Sequence, residues 1–91
     1  MKYAKLPVEI EAWPVSELLE NAKTNWLGLP LSIRNAYDKG DILFVNDGIN
    51  IRTLEGIMSA TYTDMVIEGV KGELYPCKID IFQATYRSLG D

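Results

Sequence analysis

Any chemistry in this chain would have to come from one stretch: Gly69-Val70-Lys71-Gly72-Glu73-Leu74-Tyr75-Pro76-Cys77-Lys78-Ile79-Asp80-Ile81-Phe82. Cys77 is the single cysteine, and a thiol becomes a nucleophile only with an activating base or a depressed pKa. The chain has no histidine to act as that base, so Cys77 reads as a small buried apolar residue. Glu73 and Asp80 stand seven apart across Pro76, the residue types for paired acid–base work. Nothing in the spacing forces them together, and accepting turn N–H bonds or pairing Lys71 or Lys78 is the expected role. Gly69-Val70-Lys71-Gly72 has the makings of a small anion cradle, with backbone N–H groups and the Lys71 ammonium facing a phosphate. It lacks the residues of a P-loop or a dinucleotide fingerprint. A hairpin turn with a solvated lysine is the more ordinary use of such glycines.

The absence of histidine, with one cysteine, excludes a zinc site of the usual kind and all histidine-based acid–base or triad chemistry. No stretch has the ligand spacing of an EF-hand. No catalytic residue, metal or cofactor is therefore expected, and an enzyme is the least expected class. What remains is binding. Lys71, Glu73, Tyr75 and Lys78 are the candidate ligand or partner residues of the stretch. Trp26 joins them from elsewhere: it lies in a loop beside Gly28, and amphipathic rings are favoured at recognition surfaces.

Those residues must be positioned by a single small domain, since 91 residues make one core near the lower limit of independent folding. Nine basic against thirteen acidic residues leave a net charge of −4, which argues against binding a nucleic-acid backbone. No apolar run approaches the roughly 18–20 residues that span a bilayer, and the first residues lack the apolar core of a signal peptide. A lone cysteine fits a reducing cytosol.

Along the chain, Val8-Glu9-Ile10-Glu11-Ala12 alternates as a half-buried strand, with Trp13 and Pro14 ending it. Ser16 is placed to cap a helix over 15–22. Trp26-Leu27-Gly28-Leu29 reads as an apolar loop folding back on the core. Pro30 opens a second helix over 30–39, and Gly40 is its left-handed stop. Period-two patterns follow. Ile42 to Val45 and Ile49 to Thr53 flank Asn46-Asp47-Gly48, the strongest hairpin signal, since these residues tolerate positive φ. Further strands are expected over 57–62, 65–68 and 73–75, the last closed by Pro76. A short turn at 80–82 and a final strand over 83–87 complete the reading. Segregated helices and strands predict an α+β fold: two short N-terminal helices on a curved, mostly antiparallel sheet or small open barrel of five to seven strands. The expected core is Val8, Ile10, Leu18, Ile33, Phe44, Ile49, Ile51, Ile57, Val66, Ile67, Leu74 and Phe82. A homodimer covering a sheet edge would help so small a core.

Two segments carry a resemblance. Lys2-Tyr3-Ala4-Lys5-Leu6-Pro7-Val8-Glu9-Ile10-Glu11-Ala12 is similar to the K-Y-x-K-x-P-V-x-(I/V)-E-A opening of a group of small bacteriophage and prophage proteins of unknown function. Thr53-Leu54-Glu55-Gly56 with Met58, and the stretch from Gly69 to Phe82, resemble that group's T-L-E-G-x-M and G-V-K-G-E-x-Y-P-C-K-P-D-I-F segments. Ala84-Thr85-Tyr86 matches its A-T-Y ending. The chain departs at Ile79, where the group has proline, and at Tyr62-Thr63-Asp64, where the group has a Gly-Asp turn. The resemblance implies a phage gene product in the cytoplasm of an infected bacterium, and no reaction.

Three functions follow as expectations. The first is a non-catalytic binding protein docking on a host or phage protein. The second is an anti-defence protein sequestering a small anionic ligand such as a nucleotide signal. The third is a virion-associated or structural oligomer.

Overall fold

The structure, a computed structural model, describes residues 1–4 and 6–90. In chain order its elements are β1 (Glu11–Pro14), α1 (Val15–Thr24), a 3-10 turn (Trp26–Gly28) and α2 (Leu31–Asp38). Next come β2 (Ile42–Val45), β3 (Gly48–Thr53), β4 (Gly56–Thr61), β5 (Met65–Glu68), β6 (Leu74–Cys77) and α3 (Ile79–Thr85). All strand pairs are antiparallel, in two sheets of three ordered β1-β5-β6 and β2-β3-β4. The fold is α+β, as the segregated patterns predict. The single curved sheet or barrel is corrected: no closed barrel forms among the described residues, and a third helix replaces the last strand.

The core lies between these layers. Ile49 and Ile51 share one face of β3 and are fully buried, and across the ladder Ile42 and Ala60 continue that face. Val15, Leu18 and Leu19 of α1, Leu29, and Ile33 and Ala36 of α2 pack onto it, with Val66 from the other sheet. Each fully buried Leu, Ile or Val contributes roughly 1.5–3 kcal/mol through removal from water. These residues therefore hold the helices against the β2–β3–β4 sheet. Of the expected core, Leu18, Ile33, Ile49, Ile51, Val66 and Ile67 are buried. Ile10, Phe44, Leu74 and Phe82 are only partly buried, and Val8 and Ile57 are exposed. Ile57 alternates onto the outer face of β4, which no other element covers.

Several boundaries shift for identifiable reasons. The first strand starts at Glu11, not Val8, because its register pairs Glu11 with Glu68. Beyond Glu68 the chain turns away at Gly69, leaving residues 8–10 without a partner strand. Ser16 makes no cap. Helix α1 follows Pro14 directly, and its first amide, Val15 N–H, donates to the Asp64 carbonyl at 3.0 Å. The loop at Trp26 is a turn of 3-10 helix, and Pro30 stands at the cap of α2 rather than within it.

The β2–β3 hairpin stands where predicted but for another reason. No non-glycine residue among those described has positive φ, and Gly48 does not either. Asn46 and Asp47 form the two-residue loop, with Val45 paired to Gly48. Gly48 is needed because a Cβ there would overlap the Ala60 carbonyl oxygen of the neighbouring strand. Pro76 lies inside β6, opposite Val66, at a sheet edge where its missing N–H is tolerated. The predicted strand over 83–87 is helix α3 and its exit. Phe82 N–H donates to the Lys78 carbonyl (2.8 Å) and Tyr86 N–H to that of Phe82 (2.9 Å). The Phe82 and Tyr86 rings stack at 5.2 Å, a helical i, i+4 contact that the strand reading overlooked.

Candidate functional site

The stretch from Gly69 to Lys78 forms the β5–β6 turn and β6 itself. Gly69 N–H donates to the Glu73 carbonyl (2.8 Å) and Gly72 N–H to that of Gly69 (3.0 Å), with Gly72 at φ +83°. The Glu73 carboxylate folds back into the turn. Its Oε1 accepts Lys71 N–H at 3.1 Å and lies where a Cβ on Gly69 would stand. The place a phosphate oxygen would take in an anion cradle is thus held by the chain's own carboxylate. The Lys71 side chain is exposed.

At the far end of β6, the Lys78 ammonium lies 3.4 Å from Asp64 Oδ2. Asp64 is 3% exposed, the buried charged residue of the core. The same carboxylate oxygen accepts Thr61 N–H at 2.8 Å, while Asp64 N–H donates to the Thr61 carbonyl at 2.9 Å. Burial pulls the Asp64 pKa upward, but the bonds from Thr61 and the Lys78 ammonium outweigh it and hold the group below the ordinary carboxylate value. Asp64 thereby ties together the end of β4, the start of α1 and the end of β6. Sequence reasoning read it only as a strand breaker. Threonine three residues before an aspartate, at a strand end, was the available signal for a side-chain-closed turn.

Between these ends, Cys77 is half-buried. Burial, then the Asp64 and Asp80 carboxylates, push its thiol pKa up, so it stays protonated at neutral pH. Burial likewise pushes the Tyr75 hydroxyl up to about 12, with the Tyr86 hydrogen bond and the charges of Tyr86, Glu73 and Cys77 adding to it. Tyr75 is a neutral donor at physiological pH. Asp80 is engaged locally, its Oδ1 accepting Ile81 N–H at 2.9 Å. Glu73 and Asp80 are thus each occupied by their own turn.

Tyr75 and Glu73 line an open cleft of about 760 Å³ between α2, the β3–β4 hairpin and β6. Its floor is apolar, with Ile51, Met58, Leu74 and Pro76. Its rim carries Lys39, Arg52, Asp41 and Glu55, and Arg52 Nε faces Asp41 Oδ1 at 3.8 Å. Lys71 and Lys78 are not among the residues lining it. Of the five sequence candidates, the cleft gathers two, the turn and the Asp64 pair take one each, and the fifth lies on another face.

That fifth is Trp26. Its ring meets Tyr37 edge-on at 5.0 Å and Phe44 at 5.9 Å, with Tyr37 and Phe44 5.7 Å apart. The 3-10 turn, α2 and β2 each supply one ring. The cluster lines a shallow groove of about 410 Å³ alongside Leu43, Val45 and Lys23. Of its lining, Leu43 and Val45 are 58 and 45% exposed. Tyr37 and Phe44 were legible as aromatics, but their convergence on Trp26 depends on tertiary packing.

The groove runs beside a free sheet edge. Val45 and Gly48 close a two-residue hairpin, and Arg52 N–H donates to the Asp41 carbonyl at 2.8 Å. Asp41, Leu43 and Val45 therefore turn their backbone groups toward β3, and Ile42 and Phe44 turn theirs outward. Among the described residues β2 pairs only with β3, and it packs against α2, with Ile42 buried and Leu43 and Val45 exposed. No protein-family model matches the chain, and comparison with curated proteins and with solved structures returns no match.

Proposed function

We propose that the protein is a non-catalytic binding module. It takes an extended segment of a host or phage protein as an added strand along β2, with Trp26, Tyr37 and Phe44 receiving the segment's side chains. One observation carries this reading: among the sheet edges of the described residues, β2 alone has no proline, charge or side-chain closure, and it is open at Leu43 to Val45, Ile42 being buried. β1 contains Pro14 and begins with an exposed Glu11. β6 contains Pro76 and lies against the other sheet. β4 lies beside β6, and its last N–H is taken by Asp64. β2 is Ile-Leu-Phe-Val, with no charge, proline or bulge. Natural proteins protect sheet edges with such devices, and an apolar edge lacking them is a template for another chain. Aromatic rings beside it add the anchors that dominate binding energy. The phage setting and the bacterial cytoplasm rest on the sequence resemblance alone.

Selection from a library of short unstructured peptides tests this. Segments with alternating apolar residues should be enriched on the wild type, and amide shifts in Ile42–Val45 should follow their binding. If the double variant W26A/V45K enriches the same segments equally well, the reading fails.

A second reading is favoured by the cleft at Tyr75, whose volume falls within the roughly 300–1,000 Å³ of small-molecule sites. A nucleotide signal has less support there. The turn amide is filled by Glu73, and the cations Lys39 and Arg52 share the rim with Asp41, Glu55 and Glu73. Calorimetric titration with cyclic and linear nucleotides is the test, and heat of binding lost in Y75F or R52A would favour it.

A further inference from the structure

The segment ahead of β1 has the pattern of a strand and no strand to pair with. Leu6, Val8 and Ile10 alternate with Pro7 and Glu9, continuing the phase of Ala12. That is the signature of an extended segment with one face covered. In this chain most of that face is bare: Leu6 is 77% and Val8 47% exposed, with Tyr3 at 87% nearby, and Ile10 is half-buried. Pairing to β5 cannot extend backward past Glu11, because β5 ends at Glu68 and the chain leaves at Gly69.

The surface area points the same way. The chain exposes 6827 Å², whereas a folded monomer of 10.2 kDa exposes about 5,300 Å² by size scaling. The excess of about 1,500 Å² per copy, about 3,000 Å² for two copies, falls within the roughly 2,000–5,000 Å² in total that obligate homodimer interfaces bury.

One feature elsewhere complements this segment. β2 offers the outward N–H and C=O of Phe44 and an apolar edge at Leu43 and Val45, while Ile42, 1% exposed, is already covered. If Val8 and Ile10 turn their backbone groups toward it, Pro7 falls on the outer side, where no donor is required.

We propose that, with no partner bound, residues 6–10 of one copy add as a fourth strand to β2 of a second copy. Two such contacts related by a two-fold axis make a reciprocal dimer. The proposal rests on the reading of β2 as a docking edge and names what covers that edge at rest: the protein's own arm, which a partner segment must displace.

The test is the mass of the purified full chain by light scattering at micromolar concentration. The wild type should run at twice the 10.2 kDa chain mass. L6D/V8D, altered only at exposed arm positions, should fall to the single-chain mass while keeping the circular dichroism of the folded chain, its melting temperature dropping only by the lost dimer stabilisation. L43K/V45K should do the same from the other side of the contact. An equimolar mixture of these two variants should recover dimer, because one intact arm meets one intact edge. A monomeric wild type overturns the proposal. So does a dimer that survives L6D/V8D, or a mixture with no recovery, which is the behaviour of edge-to-edge β2 pairing. Peptide capture by L6D/V8D reports separately on the docking reading. If its β2 edge still takes peptides while the wild type is monomeric, only the arm proposal falls. If the dimer stands and no peptide competes with it, only the partner reading falls.

Discussion

The turn before β6 and the edge of β2 both present backbone groups that have no ladder partner, and the chain treats them in opposite ways. At the turn, glycines free the amides, and Glu73, two residues after Lys71, returns its carboxylate to accept one of them. At the far end of β6, Asp64 does the same for Thr61 while drawing in Lys78. At β2 no side chain comes back. Four apolar residues in a row cannot accept or donate, and the rings of Trp26, Tyr37 and Phe44 sit beside the exposed edge. Local polar side chains make the first region self-sufficient. Their absence leaves the second dependent on something outside it. The stretch richest in chemical side chains thus spends Glu73 on its own turn and Lys78 on the Asp64 pair, while Tyr75 faces the open cleft.

If that contrast is right, the largest stability effects belong to the self-satisfied region. D64A should cost about 1.5–3 kcal/mol, since it removes a charged acceptor from a partly buried hydrogen bond. The Lys78 side of the pair is 63% exposed and adds little. Urea denaturation measures the loss. The pH dependence has a definite sign. Asp64 has a folded pKa below its ordinary value of 3.8. Its contribution is thus fully present above that value and is lost as pH falls through the folded pKa. D64N should flatten the acid limb of the stability profile. An unchanged limb would mean that Asp64 does not hold the β4, α1 and β6 junction.

G48A probes the hairpin at the end of β2 and should cost about 1–3 kcal/mol through forced displacement of β4. N46A and D47A should each stay within about 0.5 kcal/mol, the range of ordinary surface changes. Equal losses at all three positions would restore the positive-φ account of this hairpin that the residue types suggested.

That hairpin shows how far the sequence could be read. The Asn-Asp-Gly signal located the turn to the residue, because turn residues act locally. Which of the three was indispensable depended on the Ala60 carbonyl twelve residues away. Class, the β2–β3–β4 meander and half of the predicted core were legible for the same local reason: alternation fixes which side chains share a face, whereas the β1–β5 pairing that splits the strands into two sheets is long-range. The arm at Val8 was misread as core because its pattern says only that one face wants cover, not whether the chain supplies it. The last helix was missed because the run from Gln83 to Arg87 favours a strand locally, while the i, i+4 stacking of Phe82 and Tyr86 favours a helix. Of the candidate site, Trp26 was legible as an amphipathic ring in an apolar loop. Its neighbours on α2 and β2 were not.

At β2 the contrast predicts binding effects without stability effects. W26A should weaken capture of a strand-forming peptide at least tenfold, about 1.4 kcal/mol, as expected of an aromatic anchor. L43K/V45K should abolish capture while changing stability by about 0.5 kcal/mol or less, because both side chains are exposed. Isothermal titration and thermal melts on the same samples separate the two quantities. A variant that loses stability and binding in proportion would make the aromatic cluster a structural prop rather than a contact.

The weakest binding effect is the most diagnostic. E73A removes the carboxylate from an exposed turn and should cost only about 0.5–1 kcal/mol, the value of one ordinary hydrogen bond. The glycine backbone would remain in place, with Lys71 N–H now free and the Lys71 ammonium alongside. Such a concavity favours anions. The variant should therefore gain weak, salt-sensitive binding of inorganic phosphate that the wild type lacks, seen in phosphorus NMR line widths at low ionic strength. Glu73 then acts as a built-in occupant, and the glycines around Lys71 shape a turn that the chain has already filled. Equal phosphate binding by wild type and E73A would reverse the conclusion: the cradle would be open despite its carboxylate, and the two regions would no longer differ in kind.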